Sequence, residues 1–311
     1  MPEGLSLGRQ SSTKMRRIEF KQAQQGIALV LVLWVLTLLG VIATSFAKSM
    51  HTETELARQL TLSAQARALA QAGIYRGIVD LLMLRRSPLV KWQANGSVYK
   101  TIKMGQGKVQ IAIQDEAGRI DLNSAQEPLL NALLLASGVD EQVRATLVDA
   151  IIDWRDPDNL RRLHGAEDEE YQAAGLTYGA KDGPFNSVEE LNQVLGMTPA
   201  LYRRLAPALT VHSHQPNVDI NFASAAVVQA LEAGEAAQAG IGTDYKSILG
   251  KTANLGTPRP PRGTLASAGS GTYTLRATAK VYGTVAEIVA TIKLDGGSNQ
   301  PYSVISWREE K

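Results

Sequence analysis

The longest run of apolar positions lies near the beginning of the chain and predicts a helix that spans a membrane. Residues 27–47 read IALVLVLWVLTLLGVIATSFA and contain no charged side chain. A helix of this length rises about 31 Å, which matches the hydrocarbon core of a bilayer. Lysine and arginine precede this run, and acids follow it. This bias of positive charge predicts that residues 1–25 lie in the cytoplasm and residues 48–311 outside it.

The helical pattern continues beyond the apolar run. No proline occurs between Ser49 and Leu84, and apolar side chains recur there at every fourth residue. These side chains are Leu62, Ala66, Ala70, Ile74 and Ile78. Such spacing predicts a single apolar face on a helix. Residues 48–86 are therefore expected to form the second half of one long helix, with this face packed on a globular head.

Alternation of apolar and polar residues predicts a β-sheet built from both ends of the remaining chain. Val98–Met104 and Val109–Asp115 flank a Gly-Gln-Gly turn, and Tyr273–Val281 and Val285–Leu294 flank a Tyr-Gly-Thr turn. Each pair predicts an antiparallel hairpin. A last strand is expected over Tyr302–Arg308.

The residues between the two hairpins have helical rather than alternating periodicity. We therefore expect an α+β fold in which the long N-terminal helix packs on an antiparallel β-sheet. Residues 88–120 and 217–311 would form this sheet-containing head. Residues 121–216 would form a large all-α domain inserted in the sheet region.

Composition excludes several kinds of site. The 311 residues have a net charge of +2 and no cysteine, which excludes disulfides, thiolate metal ligands and cysteine nucleophiles. The four histidines lie in separate contexts and no phosphate-binding glycine loop is present, so we expect no enzyme activity. Two similar segments of the insert, each centred on a glycine, resemble helix-hairpin-helix units, which contact DNA phosphates. However, residues 115–175 carry 14 acids against five arginines, which opposes a nucleic-acid partner.

Acidic residues are most crowded in two short segments of the predicted insert. Residues 153–158 read DWRDPD, and residues 167–170 read EDEE. Carboxylates this close together repel one another unless a cation is present, and hard oxygen ligands at irregular spacing suit Ca²⁺. The alternative is a solvated acidic loop whose salt partners are Arg155, Arg161 and Arg162. The residues alone leave both interpretations open.

A basic leader ends where the apolar helix begins. The sequence Gln-Gln-Gly ends at Gly26 and the helix starts at Ile27, an arrangement that resembles a prepilin leader cleaved by prepilin peptidase. Residues 1–26 would then be removed and Ile27 would become an N-methylated first residue, with Met15 a possible true start. The alternatives are a cleaved secretory signal and a plain membrane anchor. Leu31 would be the fifth mature residue, where most pilins have glutamate.

Six segments in a fixed order carry a resemblance to a known family. They are QQGIALVLVLWVLTLLGVIATSFA, ARALAQAGIYRGIVDLL, AGRIDLNSA, IIDWRDPDNLRRLHGAEDEEY, FNSVEELNQVLGMTPALYRRLAPALTV and NVDINFASAAVVQAL. On these segments the chain resembles the minor pseudopilin K of type II secretion systems, the general secretion pathway protein K family.

The resemblance implies a pilin-like fold and a place at the tip of the periplasmic pseudopilus. There this family starts or caps the filament that exports folded proteins across the outer membrane. The implied partners are the minor pseudopilins I, J and H, the major pseudopilin, the inner-membrane assembly platform and prepilin peptidase. The implied location is the inner membrane of a Gram-negative bacterium, with one span and most of the chain in the periplasm. A minor pilin of a type IV pilus is the alternative.

The resemblance also implies Ca²⁺ in the helical insert. The positions that match the family's acidic region are Asp153, Asp156, Asp158, Glu167 and Asp168.

Overall fold

The computed structural model describes residues 19–84, 94–238, 269–294 and 300–310. The chain separates into two compact units, one that ends at Thr61 and one that starts at Leu62. Most of the predicted leader, including Met15, lies outside the described residues, and so do residues 85–93 of the predicted helix and head.

The first unit contains most of a single long helix. Helix α1 starts at Glu19 and continues into the second unit, where it ends at Leu84, so the helix predicted from residue 27 onward is confirmed. Every side chain from Ile27 to Thr61 is exposed. Among the described residues this is the one helix long and apolar enough to cross a membrane, with a mean hydropathy of 2.8 in its most apolar window. A single-pass membrane anchor is consistent with these features.

In the second unit, the apolar face of α1 packs on a β-sheet. The buried side chains on this face are Ala66, Ala70, Ile74, Ile78 and Leu81. Gly73 and Gly77 let the helix approach the sheet closely. A Cβ at Gly73 would lie 2.6 Å from Val109 Cγ1, and one at Gly77 would lie 2.7 Å from Leu275 Cδ2. The predicted apolar face is confirmed, and the two glycines set its distance from the strands.

The sheet is antiparallel and has five strands. The two predicted hairpins are confirmed, as is the last strand. The strands are β1 (Asn95–Met104), β2 (Gly107–Asp115), β5 (Thr272–Val281), β6 (Thr284–Lys293) and β7 (Ser303–Glu310), in the spatial order β1-β2-β5-β6-β7. Because β2 pairs directly with β5, strands separated by more than 150 residues lie side by side. Strands β1 and β7 are the edges.

The chain between β2 and β5 forms the predicted helical insert. Its helices are α2 (Glu127–Ala136), α3 (Glu141–Arg155), α4 (Asp168–Ala173), α5 (Pro199–Leu205) and α6 (Ala225–Gln238). Short 3₁₀ turns lie at Glu116–Gly118, Val188–Gln193 and Ala206–Ala208. A two-residue parallel pair joins β3 (Ile120–Asp121) to β4 (Leu209–Thr210). The predicted fold class, α+β with an all-α insert, is confirmed.

The insert has a hydrophobic core separate from that of the sheet. Leu130, Leu134, Leu147 and Tyr171 are fully buried in this core. Helix α6 lies beyond the predicted insert boundary at residue 216, yet its apolar residues pack in the helical core rather than against the sheet. Helix α6 packs there because its apolar face meets α2.

Candidate functional site

Two carboxylates on α3 fold the following loop back onto the helix. Asp149 and Asp153 lie one turn apart on α3 and therefore share a face. Asp149 accepts hydrogen bonds from Arg162 Nε at 2.8 Å and from the His164 amide at 3.0 Å. Asp153 accepts one from the Arg162 amide at 3.2 Å. The loop after α3 thus turns around these two side chains.

Asp153 lies in a close-fitting position beside Gly165. Its side chain is fully buried, and its Oδ1 atom has no hydrogen-bond partner. A Cβ at residue 165 would collide with Asp153 Oδ2. Glycine at this position is therefore required for the carboxylate to reach the centre of the loop.

Glu167 comes at the start of α4, a helix that the periodicity did not predict because it has only six residues. The Glu167 amide donates to Glu170 Oε2 at 3.0 Å, which caps the first turn. The Glu167 side chain itself is only 5% exposed. Neither of its carboxylate oxygens has a hydrogen-bond partner.

Asp182 joins the same region from a loop beyond α4. Its backbone has φ of 53°, a left-handed conformation that aspartate tolerates better than most residues. Its Oδ1 atom is buried and without a partner. Sequence reasoning missed this residue because it lies apart from the two acidic segments, between Lys181 and Gly183. The Asp-Gly pair was the available signal, since it marks a turn that can aim a carboxylate inward.

Asp153, Asp156, Glu167 and Asp182 together form what we call the acidic cluster. Each has at least one buried carboxylate oxygen that makes no hydrogen bond. Buried carboxylates are normally paired or bound to a metal, because an unpaired buried charge is costly. Unsatisfied oxygens on all four members make the acidic cluster a candidate site for a cation.

The pKa shifts within the acidic cluster also favour a bound cation. Burial, together with the charges of Asp153, Asp182 and Asp156, raises the pKa of Glu167 to about 7. Burial raises the pKa of Asp153 to about 6, with Asp156 contributing. Burial also raises the pKa of Asp156, and Asp158 and Asp182 add to this shift. A bound cation would reverse these shifts by favouring the ionised carboxylates.

Two of the five predicted metal ligands lie outside the acidic cluster. Asp158 is exposed, and its Oδ1 atom accepts a hydrogen bond from the Leu160 amide at 2.9 Å. Asp168 is exposed and lies against Gly179, where a Cβ would collide with its Oδ1 atom. The structure therefore brings Asp153, Asp156 and Glu167 together and adds Asp182.

Of the three arginines proposed as salt partners, Arg161 pairs with the second acidic segment. Arg155 donates to the carbonyl oxygens of Leu122 and Ala125, the latter at 2.7 Å. Arg161 pairs with Glu170 at 2.7 Å. The remaining guanidinium, that of Arg162, contacts Asp149 and Glu127. Arg155 and Arg162 therefore act on Asp156 through their charge, while their hydrogen bonds are made elsewhere.

The donor set fits a hard cation. Among the described residues, no group of three or more His, Asp or Glu side chains is placed so that it could hold a metal ion as it stands. The fit therefore rests on the chemistry of the donors, which are carboxylate oxygens with free lone pairs. Calcium accepts six to eight such ligands in flexible geometry, with water filling the remainder.

The predicted processing site lies within α1. Gly26 and Ile27 are both helical, and Ile27 and Leu31 have exposed side chains. Cleavage after Gly26 and methylation of Ile27 remain predictions.

Comparison with known proteins extends these observations. A family model described as "Type II secretion system (T2SS), protein K" matches residues 110–214. The chain is 32% identical over 222 residues to type II secretion system protein K of Klebsiella pneumoniae, which covers 63% of this chain and 66% of that protein. It is 27% identical over 210 residues to the putative type II secretion system protein K of Escherichia coli K12. This alignment covers 60% of this chain and 62% of that protein. The chain belongs to the type II secretion system protein K family.

A solved structure shows the same fold. A chain in the crystal structure of the GspK-GspI-GspJ complex from enterotoxigenic Escherichia coli matches with a TM-score of 0.51 at 18% identity. The match covers 84% of this chain and 99% of that one. The sequence matches to curated protein K relatives, in contrast, span about two thirds of their length or less. The acidic cluster lies inside the region that the protein K family model matches.

Proposed function

We propose that this chain is a minor pseudopilin at the tip of a type II secretion pseudopilus, where it starts filament assembly for the export of folded proteins. The observation that carries the proposal is the combination of one exposed apolar helix with a head that is enlarged by a whole helical domain. A helix of this kind can lie beside other subunits in the membrane. A head with such an insert is too wide to be stacked upon, so it fits the end of a filament.

Leu31 supports a place at the tip. In most pilins the glutamate at this position pairs with the N-terminal charge of a neighbouring subunit, because an unpaired charge inside the bilayer is costly. Leucine cannot make this pair. A subunit with leucine there starts a filament more readily than it extends one.

The partners follow from the same proposal. The matched solved structure is a complex of GspK with GspI and GspJ. By analogy, this chain assembles with minor pseudopilins I and J, then H, with the major pseudopilin below them and the inner-membrane platform at the base. Its bulk lies in the periplasm and its leader in the cytoplasm, where prepilin peptidase removes it.

Mass spectrometry of the mature protein tests the processing step. We expect the first residue of endogenous protein to be N-methylated Ile27. Replacing Gly26 with valine should leave the leader attached and abolish secretion, whereas Leu31→Ile should leave both unchanged. Mature protein that retains the leader in cells with normal secretion would overturn the proposal.

Crosslinking in secreting cells tests the position. Crosslinks from the head to minor pseudopilins I and J, with one labelled copy at a filament end, are expected. Label distributed along the filament, or crosslinks to type IV pilus subunits, would contradict the tip assignment.

We further propose that the acidic cluster holds Ca²⁺. Asp153, Asp156, Glu167 and Asp182 would supply the carboxylate oxygens. The ion would neutralise them and lock the loop after α3 onto α4. No catalytic step is involved.

Thermal unfolding with calcium or chelator tests this role. Calcium at about 100 times its dissociation constant should stabilise the protein by about 3 kcal/mol. Glu167→Gln should lose most of this gain, and Glu169→Gln, an exposed neighbour, should keep it. Equal calcium stabilisation of both variants would argue against the site.

A further inference from the structure

The edge strand β1 begins with a bulge that contains Asn95-Gly96-Ser97. Asn95 pairs with Gln114 and Val98 pairs with Ala112, so the two residues between them on β1 stand opposite one residue on β2. Gly96 and Ser97 are exposed, and Gly96 has φ of 81°. A bulge on an edge strand leaves this part of the backbone accessible to water.

Ser97 points two donors at one atom of Asn95. The Ser97 amide donates to Asn95 Oδ1 at 3.1 Å, and the Ser97 hydroxyl donates to the same atom at 2.6 Å. These are the donors that would stabilise negative charge if the carbonyl carbon of the side chain were attacked. The adjacent nucleophile is the amide nitrogen of Gly96, an exposed residue that has the Gln114 side chain on one side.

We propose that Asn95 is a site of spontaneous covalent modification, in which the chain converts its own asparagine amide into an acid. The Gly96 amide nitrogen loses its proton and attacks Asn95 Cγ. The new N–Cγ bond closes a five-membered succinimide, the Cγ–Nδ2 bond breaks, and nitrogen leaves as ammonia carrying that proton. Water then opens the ring at either carbonyl, giving aspartate or isoaspartate at position 95.

The donors of Ser97 act on the step that forms the ring. As Cγ becomes tetrahedral, Oδ1 takes up negative charge, and both donors already point at it. Ser97 is therefore a positioning and stabilising residue for this reaction, and Gly96 is the nucleophile.

The product differs from the starting chain in charge and in backbone. The formal net charge falls from +2 by one unit. Isoaspartate also adds a carbon to the backbone at the start of β1, beside Gln114. The Gln114 side chain donates to the carbonyl oxygens of Asp115 and Phe222, where the sheet joins the insert. The modification would therefore mark aged molecules at this junction.

Asn123 provides an internal control in the same molecule. It also precedes a small residue, Ser124, but both ends of its side-chain amide are held by Phe185, at 2.7 and 3.0 Å. An amide fixed in this way cannot turn toward the next nitrogen.

The test is to incubate the full-length protein in detergent at mildly alkaline pH and follow both asparagines by peptide mass spectrometry and isoaspartate assay. Conversion at Asn95 should be clearly faster than at Asn123. Ser97→Ala should slow it by about three- to tenfold, the equivalent of one net hydrogen bond, and Ser97→Thr should restore it. Asn95→Gln should abolish the acidic charge variant.

Two results would overturn the proposal. One is that Asn95 stays intact in the folded protein during the time in which a synthetic peptide of the same sequence is converted. The other is an unchanged or faster rate in Ser97→Ala, with the melting temperature measured in parallel to show that the variant is folded.

Discussion

The sheet of the head and the helical insert differ in how they satisfy their buried polar groups. Inside the sheet, Thr274 and Thr291 on neighbouring strands bond to each other at 3.0 Å, and Thr278 donates to Glu287 at 2.8 Å. The insert instead has four carboxylates with at least one buried oxygen that makes no hydrogen bond, and two of them, Asp153 and Glu167, are buried as whole side chains. Among the described residues, the sheet has an unsatisfied carboxylate oxygen on Asp115 at the end of β2, whereas the insert gathers several in the acidic cluster, where the proposed Ca²⁺ would neutralise them.

The largest effect on stability is expected from a substitution in the apolar core of the sheet. Ile111 is fully buried on β2, between the sheet and α1. Ile111→Ala should lower the free energy of unfolding by about 2–5 kcal/mol, because it leaves a cavity. The loss should be the same with calcium and with chelator when measured by urea unfolding.

Val98→Ala, at an exposed position on β1, is the matched control and should cost little. A loss at Ile111 that depends on calcium would show that the two regions are not independent.

A smaller effect on stability is expected from a substitution at Gly165, which lies against the Asp153 side chain. Gly165→Ala should destabilise the insert by about 1–3 kcal/mol, because the new methyl group must displace the carboxylate. It should also weaken calcium binding, which titration calorimetry would measure.

Gly183→Ala is the control for this change, since a Cβ there would meet only Lys181 O at 3.8 Å. Full calcium affinity in Gly165→Ala would place Asp153 outside the site.

The pH dependence of stability follows from the raised carboxyl pKa values. The folded-state pKa values of Glu167 and Asp153, about 7 and about 6, lie above their ordinary values. The folded state therefore binds more protons at these two groups, so their contribution to stability is fully present below about pH 4 and is lost as pH rises through about 7. In chelator, unfolding by urea should show a contribution of about 2 kcal/mol lost over this range.

Comparison with Glu167→Gln isolates this contribution from other titrating groups. Most of the fall should disappear in the variant, and calcium should flatten it in the unmodified protein. The prediction would be contradicted if the stability of the unmodified protein, relative to that of Glu167→Gln, rose with pH.

The smallest effect concerns a contact between the two regions. Arg308 on β7 pairs with Glu189 of the insert, and both side chains are about half exposed. Exposed ion pairs contribute little, so Arg308→Ala should cost less than about 1 kcal/mol and the loss should shrink at high salt. Double-mutant analysis with Glu189→Ala would measure the coupling, and a large, salt-independent value would show that the contact is more than a surface pair.

Local patterns were sufficient to predict α1, its apolar face, both hairpins, the last strand and the inserted helical region. The four-residue spacing from Leu62 to Ile78 and the alternation in β2 reflect which neighbours along the chain share a face. These relations depend only on nearby residues, so they can be read from the sequence. The same holds for the acidic segments that suggested a cation.

The members of the acidic cluster were decided by tertiary structure. Asp182 enters from a separate loop, while Asp158 and Asp168 turn outward although they lie within the crowded segments. Similarly, α6 joins the insert because its partner is α2, far away in the chain. Sequence alone determined most of the elements, though not α4, and suggested the kind of chemistry. Only the path of the chain decided which carboxylates are buried together, because burial depends on residues that are distant in sequence.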